Sequence, residues 1–183
     1  VLLISCDHRD RHDSGPPITE TKKGSVAKAE MLQAEIKMAA GELKVQGTDS
    51  DEVSADFRYS PGGLAPIFKL DTTSFRARAV IEQSKKDFEG FNMLENTWLV
   101  RLPNKLTTDL EVNIGAGEAR LDLGTIDLRK VELHMGAGKV IADFTGTPRR
   151  DYEVIIRGGV GECEVTLPSS AGIRAEAHGG IGG

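Results

Sequence analysis

Residues 110–144 read LEVNIGAGEARLDLGTIDLRKVELHMGAGKVIADF, in which two copies of one pattern follow each other. Each copy has Gly-Ala-Gly at its centre, with apolar residues at every second position before and after it. An apolar period of two is typical of a β-strand with one buried face. The stretch therefore predicts two strands of similar length, each with a glycine pair in its middle.

The glycine pair recurs at nearly constant spacing through the last third of the chain. The second glycines of successive pairs are 21, 23 and 21 residues apart. A fixed period of this length is characteristic of repeat architectures. We therefore predict an all-β, solenoid-like fold, either a single-stranded β-helix or a stacked β-roll, with repeats of about 21 residues. The pairs are Gly115 and Gly117, Gly136 and Gly138, Gly159 and Gly161, and Gly180 and Gly182.

There are two physical reasons for glycine at these positions, which we interpret as structural pivots. A strand that turns a corner needs a residue able to adopt positive φ, and closely stacked backbones leave no room for a Cβ. If the repeats stack as rungs about 4.8 Å apart, equivalent residues become neighbours. The residues that follow three of the pairs, Glu118, Lys139 and Glu162, alternate in charge, as a ladder across adjacent rungs favours.

An earlier copy of the pattern lies at 34–45, AEIKMAAGELKV, where Ala39-Ala40-Gly41 replaces Gly-Ala-Gly, and Gly41 is its pivot. Between this copy and the later ones, alternating apolar residues predict further strands. The polar stretch 84–96 is a candidate boundary. We therefore predict an N-terminal β domain over 25–96 and a repeat solenoid over 97–183. The further strands are expected at 53–59, 67–70, 75–81 and 97–102.

The chain begins VLLISC, which resembles the end of a bacterial lipoprotein signal: an aliphatic Leu3, a small Ser5 and then Cys6. On this interpretation residues 1–5 are removed, Cys6 carries the lipid, and the mature protein is extracytoplasmic and anchored to the membrane. The alternative is an ordinary buried cysteine, or a Cys6 disulfide with Cys163. Residues 6–24 are polar and contain Gly-Pro-Pro, so we expect them to form a tether.

The second cysteine, Cys163, occupies the same position after its pivot as Ala119 and Val140. This is an inward position of the predicted strand. A small buried apolar side chain is therefore a better interpretation of Cys163 than a nucleophile.

The composition argues against some classes of partner. The 183 residues are 39% hydrophobic, enough for a core, and the net charge is −5 with no run of Lys or Arg. Nucleic-acid binding needs a concentrated basic face, so we expect no nucleic-acid partner. Aromatic residues make up only 5% of the chain, which disfavours a platform for stacking sugars or bases.

No motif in the sequence points to catalysis or metal binding. The pairs lack the third glycine of a dinucleotide fingerprint, and no Ser/His/Asp order, HExxH or CxxC pattern occurs. Asp122 and Asp143, one repeat apart, could form a glycosidase carboxylate pair, although a solvated strand face is the simpler interpretation. His8 and His12 could share a helix face and hold a metal, but the mixed charge around them favours a tether. We predict a protein that is not an enzyme, without cofactor or metal.

Two stretches carry a resemblance to known bacterial proteins. Residues 34–59, AEIKMAAGELKVQG followed by DEVSADFRY, resemble the N-terminal domain of the toast-rack family. Residues 98–144, with LDLGTIDLRKVELHMGAGK, are similar to the domain that this family shares with LiaF-like cell-wall-antibiotic-response proteins. The resemblance implies an all-β, solenoid-like domain, usually extracytoplasmic or membrane-associated, without established catalytic residues. In LiaF-like members the domain belongs to a membrane protein that restrains an envelope-stress sensor.

These observations together predict a non-catalytic extracytoplasmic lipoprotein that acts as a binding or scaffolding module at the bacterial cell envelope. Its expected partners are the membrane, through the lipid, and an envelope protein or glycan. One alternative is a regulator of envelope-stress signalling that contacts a sensor kinase, and another is a carbohydrate-active β-helix enzyme. Because residues 181–183 stop inside a fourth pivot, we expect the natural protein to continue.

Overall fold

The structure is a computed structural model that describes residues 15–61, 65–84, 95–174 and 176. Over these residues it contains nine strands and no helix, which confirms the all-β prediction. The four shorter strands predicted between the early and late copies are all present, as β3 to β6. The strands are β1 Ile18–Ser25, β2 Met31–Thr48, β3 Glu52–Tyr59, β4 Pro66–Thr72, β5 Arg76–Gln83, β6 Asn96–Pro103, β7 Thr107–Asp122, β8 Leu128–Asp143 and β9 Glu153–Thr166.

The four long strands, β2, β7, β8 and β9, lie parallel and in register as successive rungs. Gly41 lies opposite Gly117, Gly117 opposite Gly138, and Gly138 opposite Gly161. The alternating charges after the pivots also become neighbours, and Lys139 pairs with Glu162 at 3.2 Å. The early copy at 34–45 is therefore the first rung of the same stack.

β2, β7 and β8 each bend at the glycine or glycine pair in their middle, so that both halves of these strands bury side chains in one core. In β7 the buried positions are Leu110, Val112 and Ile114 before the pair and Ala119 and Leu121 after it. The buried side changes from even to odd numbers because the strand turns between the halves. The loops that follow β7 and β8 return the chain to the start of the next rung.

The two halves of β2 have different partners. Residues 31–37 pair parallel with β5, and residues 42–48 pair parallel with β6. Beyond β5, the strand β4 pairs antiparallel with it. Beyond β6, the strand β3 pairs antiparallel with it, and β1 pairs antiparallel with β3. One nine-stranded sheet therefore continues across residue 96, and the two predicted domains share it.

The first strand corrects the expected tether over 6–24. Residues 18–25 form β1, which pairs with β3 at an edge of the sheet. Its inward side chains, Glu20 and Lys22, are only half-buried, so polar residues suffice there, and the Lys22 ammonium lies 5.8 Å from the Phe57 ring centre. On the outer face Thr21 donates to Asp56 at 2.7 Å. An edge strand of this kind has no apolar period, so the pattern that revealed the other strands was absent. Residues 6–14 lie outside the described part of the chain.

The last described strand corrects the expectation for Cys163. Cys163 lies opposite Val140 in the inward row, as predicted, but it is an exposed free thiol. Its exposure arises because no described strand pairs with the outer edge of β9. The thiol still touches the margin of the apolar interior, and this partial burial raises the pKa of Cys163.

Candidate binding groove over the glycine pairs

A groove of about 1030 Å³ crosses the outer face of the four long strands where they approach their glycine pairs. Its lining repeats from rung to rung because the strands are in register. The floor consists of Ala39, Gly115, Gly136 and Gly159, one from each long strand. The floor is therefore formed largely by backbone.

Neighbouring backbones approach closely along the floor. A Cβ on Gly115, Gly136 or Gly159 would overlap the carbonyl oxygen of the equivalent residue on the preceding rung. The first glycine of each pair is therefore required by close approach. The second glycine is required by conformation as well, since φ is +125° at Gly117 and +130° at Gly138.

One wall of the groove is a row of polar side chains: Lys37, Asn113, His134 and Arg157 are opposite one another across the four rungs. Neighbouring members are separated by the strand spacing of about 4.8 Å. Arg157 is exposed and makes no ion pair or hydrogen bond with any residue that the structure describes. It is the cation in this row most available to a ligand.

A second, acidic row lies next to the first, two residues earlier on β2, β7 and β8: Glu35, Glu111 and Glu132. Like charges on adjacent strands repel, so each acid needs a partner. Glu35 pairs with Lys37 and with Arg78 at 3.2 Å. Glu111 accepts a hydrogen bond from Asn113 at 2.8 Å, and Glu132 pairs with Lys130 and lies 3.7 Å from His134.

These contacts determine the charge state of the acidic row. The hydrogen bond from the Lys37 ammonium lowers the pKa of Glu35, against a smaller opposite effect of burial, and Arg78 lowers it further. The hydrogen bond from Lys130 likewise lowers the pKa of Glu132. Both carboxylates are therefore ionised at neutral pH, and Glu35 holds the Lys37 ammonium along the groove wall.

Two amide side chains bind the backbone at the bend of β2, the first rung. Gln83 Oε1 accepts hydrogen bonds from the backbone N–H groups of Ala39 and, at 3.4 Å, Ala40. Asn96 Nδ2 donates to the carbonyl oxygen of Ala40 at 2.5 Å. Among the described residues no earlier rung supplies these partners at the bend of β2, and Gln83 and Asn96 bind the backbone there instead.

Comparison with known proteins shows which family the chain belongs to. A family model described as the N-terminal domain of toast_rack, DUF2154, matches residues 13–166. The chain belongs to the toast-rack family. The match spans both stretches that carried the resemblance in the sequence, so this prediction is confirmed. No curated protein matches the chain.

Solved structures resemble this toast-rack chain to different degrees. A "putative cell adhesion protein" from Clostridium sporogenes is 29% identical, with a TM-score of 0.76, and the match covers 84% of this chain and 74% of that one. A "putative adhesin" from Bacteroides fragilis is 10% identical with a TM-score of 0.25, covering 81% of this chain and 97% of that one.

Asp143, one of the acidic pair considered for glycoside hydrolysis, does not suit the role of general acid. Asp122 and Asp143 lie opposite each other on β7 and β8. Asp122 pairs with Lys44 at 3.4 Å, and hydrogen bonds from Thr145 lower the pKa of Asp143. A glycosidase needs one carboxyl group with a raised pKa, and Asp143 is shifted in the opposite direction.

The remaining candidate sites of this toast-rack chain can be placed briefly. Cys6, His8, His12 and the fourth glycine pair lie outside the described residues. Within the described ranges, no three His, Cys, Asp or Glu side chains are close enough to share a metal ion. The same ranges contain no helix with the length and apolarity needed to cross a bilayer.

Sequence reasoning missed the groove, although a signal for part of it was present. Asn113 and His134 are 21 residues apart, the repeat step, so alignment of the copies would have placed them side by side. The step to Arg157 is 23 and requires the correct gap. Nothing in the sequence marks Gln83, since its role depends on the bend of a strand 44 residues away.

Proposed function

We propose that this toast-rack chain is a non-catalytic binding module that works outside the cytoplasm at the bacterial envelope. The observation that carries the proposal is the groove over the glycine pairs, with its wall of Lys37, Asn113, His134 and Arg157 in register. The 29% identical relative described as a cell adhesion protein supports a role in recognition.

The shape of the groove suits an extended ligand. Four rungs at the β-strand spacing span roughly 14 Å, so a chain lying across the strands can contact every rung. Asn113, His134 and Arg157 offer hydrogen-bond donors along one side, and the backbone floor admits close approach. An envelope glycan or an extended polypeptide has the required linear form, and acidic groups on it would pair with Arg157.

The proposal is tested by binding to isolated bacterial envelopes, measured by co-sedimentation with protein that carries Cys6→Ala so that lipid does not contribute. Arg157→Glu reverses the charge that is free in the groove, and we expect binding to weaken about ten-fold, or about 1.4 kcal/mol. Lys28→Glu makes the same charge change at an exposed loop position outside the groove and should bind like wild type. Equal binding by all three proteins would contradict the proposal.

We also propose that Cys6 is lipidated and anchors the protein to the membrane. A lipid contributes about 0.8 kcal/mol for each buried methylene, so acylation of Cys6 would give stable anchoring. In cells that express the protein with a complete signal, labelled palmitate should be incorporated and the protein should fractionate with membranes. Cys6→Ala should abolish both, whereas Cys163→Ala should abolish neither. Membrane association that survives Cys6→Ala would overturn the anchor.

A further inference from the structure

The two ends of the rung stack differ. At the first rung, β5 and β6 cover β2, whereas no strand in the described part of the chain pairs with the outer edge of β9. The described residues after β9, 167–174 and 176, lie in no strand. Apolar side chains are exposed at this end: Val160 is 78% exposed, Val165 36% and Leu167 42%. An unpaired edge beside exposed apolar side chains favours pairing with another strand.

The bent shape of the last rung allows two copies of the chain to meet at this edge. β9 follows the bend of β8, because it pairs with both halves of that strand and Gly161 has a φ of +144°. A two-fold axis that lies in the plane of β9 and bisects its bend exchanges the two halves of the strand. A second copy related by this axis therefore presents its own β9 antiparallel to the first.

We infer that the chain forms a two-fold symmetric dimer in which two β9 strands pair antiparallel, with Glu153 opposite Thr166 of the second copy. This register pairs the strand along its whole length, because β9 runs from Glu153 to Thr166. In such an interface each contact occurs twice, so any complementary pair of residues counts double.

The apolar rows of the two copies match in this register. Val154 and Ile156 pack against the core from the first half of β9, and Cys163 and Val165 pair with buried residues of β8 in the second half. Ile156 falls opposite Cys163 of the second copy, and Val154 falls opposite Val165. The open space of about 320 Å³ between the halves of the last rungs then faces the same space of the second copy. The two cores become continuous, which removes apolar surface from water.

The bend accepts the register because each pair of residues there contains a glycine. Gly158 falls opposite Gly161 of the second copy, and Gly159 falls opposite Val160. Gly158 lies in the position that Met135 occupies on β8, so the edge strand has a third glycine at its bend. Two side chains therefore never meet where the backbones of the two copies approach each other.

Charge complementarity supports the same pairing, since Arg157 falls opposite Glu162 of the second copy. The equivalent of Arg157 on β8, His134, lies 3.7 Å from the carboxylate of Glu132, two residues earlier. On β9 that earlier position is Ile155, and Arg157 has no ion pair or hydrogen bond with any described residue. The second copy supplies the missing acid. A guanidinium has five N–H donors, so this pair leaves donors for a ligand in the groove.

The first experiment measures the dimer by analytical ultracentrifugation of the full chain with Cys6→Ser. We expect a dimer that dissociates on dilution. Glu162→Arg places like charges opposite each other at two symmetric contacts, so the dissociation constant should rise about ten-fold. Adding Arg157→Glu to Glu162→Arg exchanges the two charges and should restore the original constant. Glu164→Arg is the control, because Glu164 falls opposite the uncharged Ile155 and should leave the constant unchanged. Circular dichroism checks that each variant is folded.

The second experiment tests the register with the thiol of Cys163, again with Cys6→Ser. Ile156→Cys lies opposite Cys163 of the second copy, about 5 Å away between Cα atoms, so mild oxidation should give disulfide-linked dimers. Val154→Cys is offset from Cys163 by two residues, which separates the Cα atoms by about 8 Å, and we expect a rate roughly ten-fold lower. Non-reducing electrophoresis measures the yields, and mass spectrometry locates the bond.

Three outcomes would overturn the inference: a protein that stays monomeric as its concentration rises, a dimer that Glu162→Arg does not weaken, or equal rates of cross-linking for Ile156→Cys and Val154→Cys. The double variant separates the inference from the proposed function. It should dimerise like the parent protein, yet bind envelopes weakly, because it carries Arg157→Glu in the groove. Normal dimerisation with unchanged envelope binding would support the dimer and contradict the proposed function alone.

Discussion

Arg150 donates two hydrogen bonds to the buried carboxylate of Asp127, from Nε to Oδ1 at 2.9 Å and from Nη2 to Oδ2 at 2.8 Å. Asp127 ends the return loop between β7 and β8, and Arg150 lies in the next loop, between β8 and β9. Thr107 at the start of β7 also donates to Asp127, at 3.3 Å. This ion pair therefore links neighbouring rungs on the loop side of the stack. At the bends, the rungs approach closely through their glycines.

Loss of Arg150 should destabilise the fold. Arg150→Ala leaves the carboxylate of Asp127, only 6% exposed, without its bidentate partner. We expect the free energy of unfolding to fall by about 2 kcal/mol, less than for a fully buried pair because the arginine is partly solvated. Urea unfolding measures it. Arg149→Ala is the matched control. Arg149 makes a single long hydrogen bond at 3.3 Å on the surface, and its loss should lower the free energy of unfolding by about 0.5 kcal/mol or less. Similar losses in both variants would contradict a specific role for the Asp127 pair.

Gly138 should not tolerate a side chain, whereas Gly158 should. Gly138→Ala combines φ of +130° with overlap of the Gly117 carbonyl, so we expect a loss of about 3 kcal/mol or more in the free energy of unfolding. An added Cβ at Gly158 would contact nothing within 4 Å, and Gly158→Ala should change stability by less than about 1 kcal/mol. Thermal unfolding of both variants checks this. A stable Gly138→Ala protein would show that the rungs are not closely stacked.

The hydrogen bonds that Gln83 accepts at the bend of β2 should be visible in hydrogen exchange. Gln83→Ala removes the acceptor of the Ala39 and Ala40 amides, so their exchange should accelerate and the free energy of unfolding should fall by about 1 kcal/mol. Gln33→Ala changes an exposed position of β2, the strand that contains Ala39 and Ala40, and should change neither quantity. Amide exchange followed by NMR reports both sites. Unchanged protection of Ala39 and Ala40 in Gln83→Ala would contradict the role of Gln83 at the bend.

Asp56 should contribute to acid sensitivity. The Thr21 hydroxyl, and then Arg101 at 2.7 Å, lower the pKa of Asp56 below its ordinary value of 3.8. A lowered folded-state pKa gives stability that is present above pH 3.8 and lost as pH falls through the folded-state pKa. Asp56→Asn should therefore lower Tm at pH 6, with the difference from wild type shrinking below pH 4. Glu164→Gln, at an exposed site on β9, is the control. A constant Tm difference from pH 6 to pH 3 would contradict this coupling.

Much of the fold could be predicted because each rung repeats two strong local signals, an apolar period of two and a glycine pair. Those signals placed β7 and β8 and identified the copy at 34–45 as the same unit. They failed for β1, whose inward face is half-solvated and therefore polar. They also failed for the exposure of Cys163, because burial of an inward residue depends on the next rung as well as on its own strand.

The groove was harder to predict than the strands. It depends on the register between rungs, which alternation within one strand does not specify. The 21-residue step relates Asn113 to His134, but the 23-residue step to Arg157 reflects a longer return loop whose extra residues cannot be assigned to a position by pattern alone. The sequence therefore predicted an outward polar face without identifying a shared row of ligand donors.

The central claim is that the groove over the glycine pairs contacts a partner at the envelope. Its most direct test is a photo-crosslinking residue at Asn113, in the groove, compared with one at Arg120, on the outer face of the other half of β7, in cells that express the anchored protein. The account predicts discrete crosslinked adducts from position 113 and none from position 120. No adducts at position 113, or the same adducts at both positions, would contradict it.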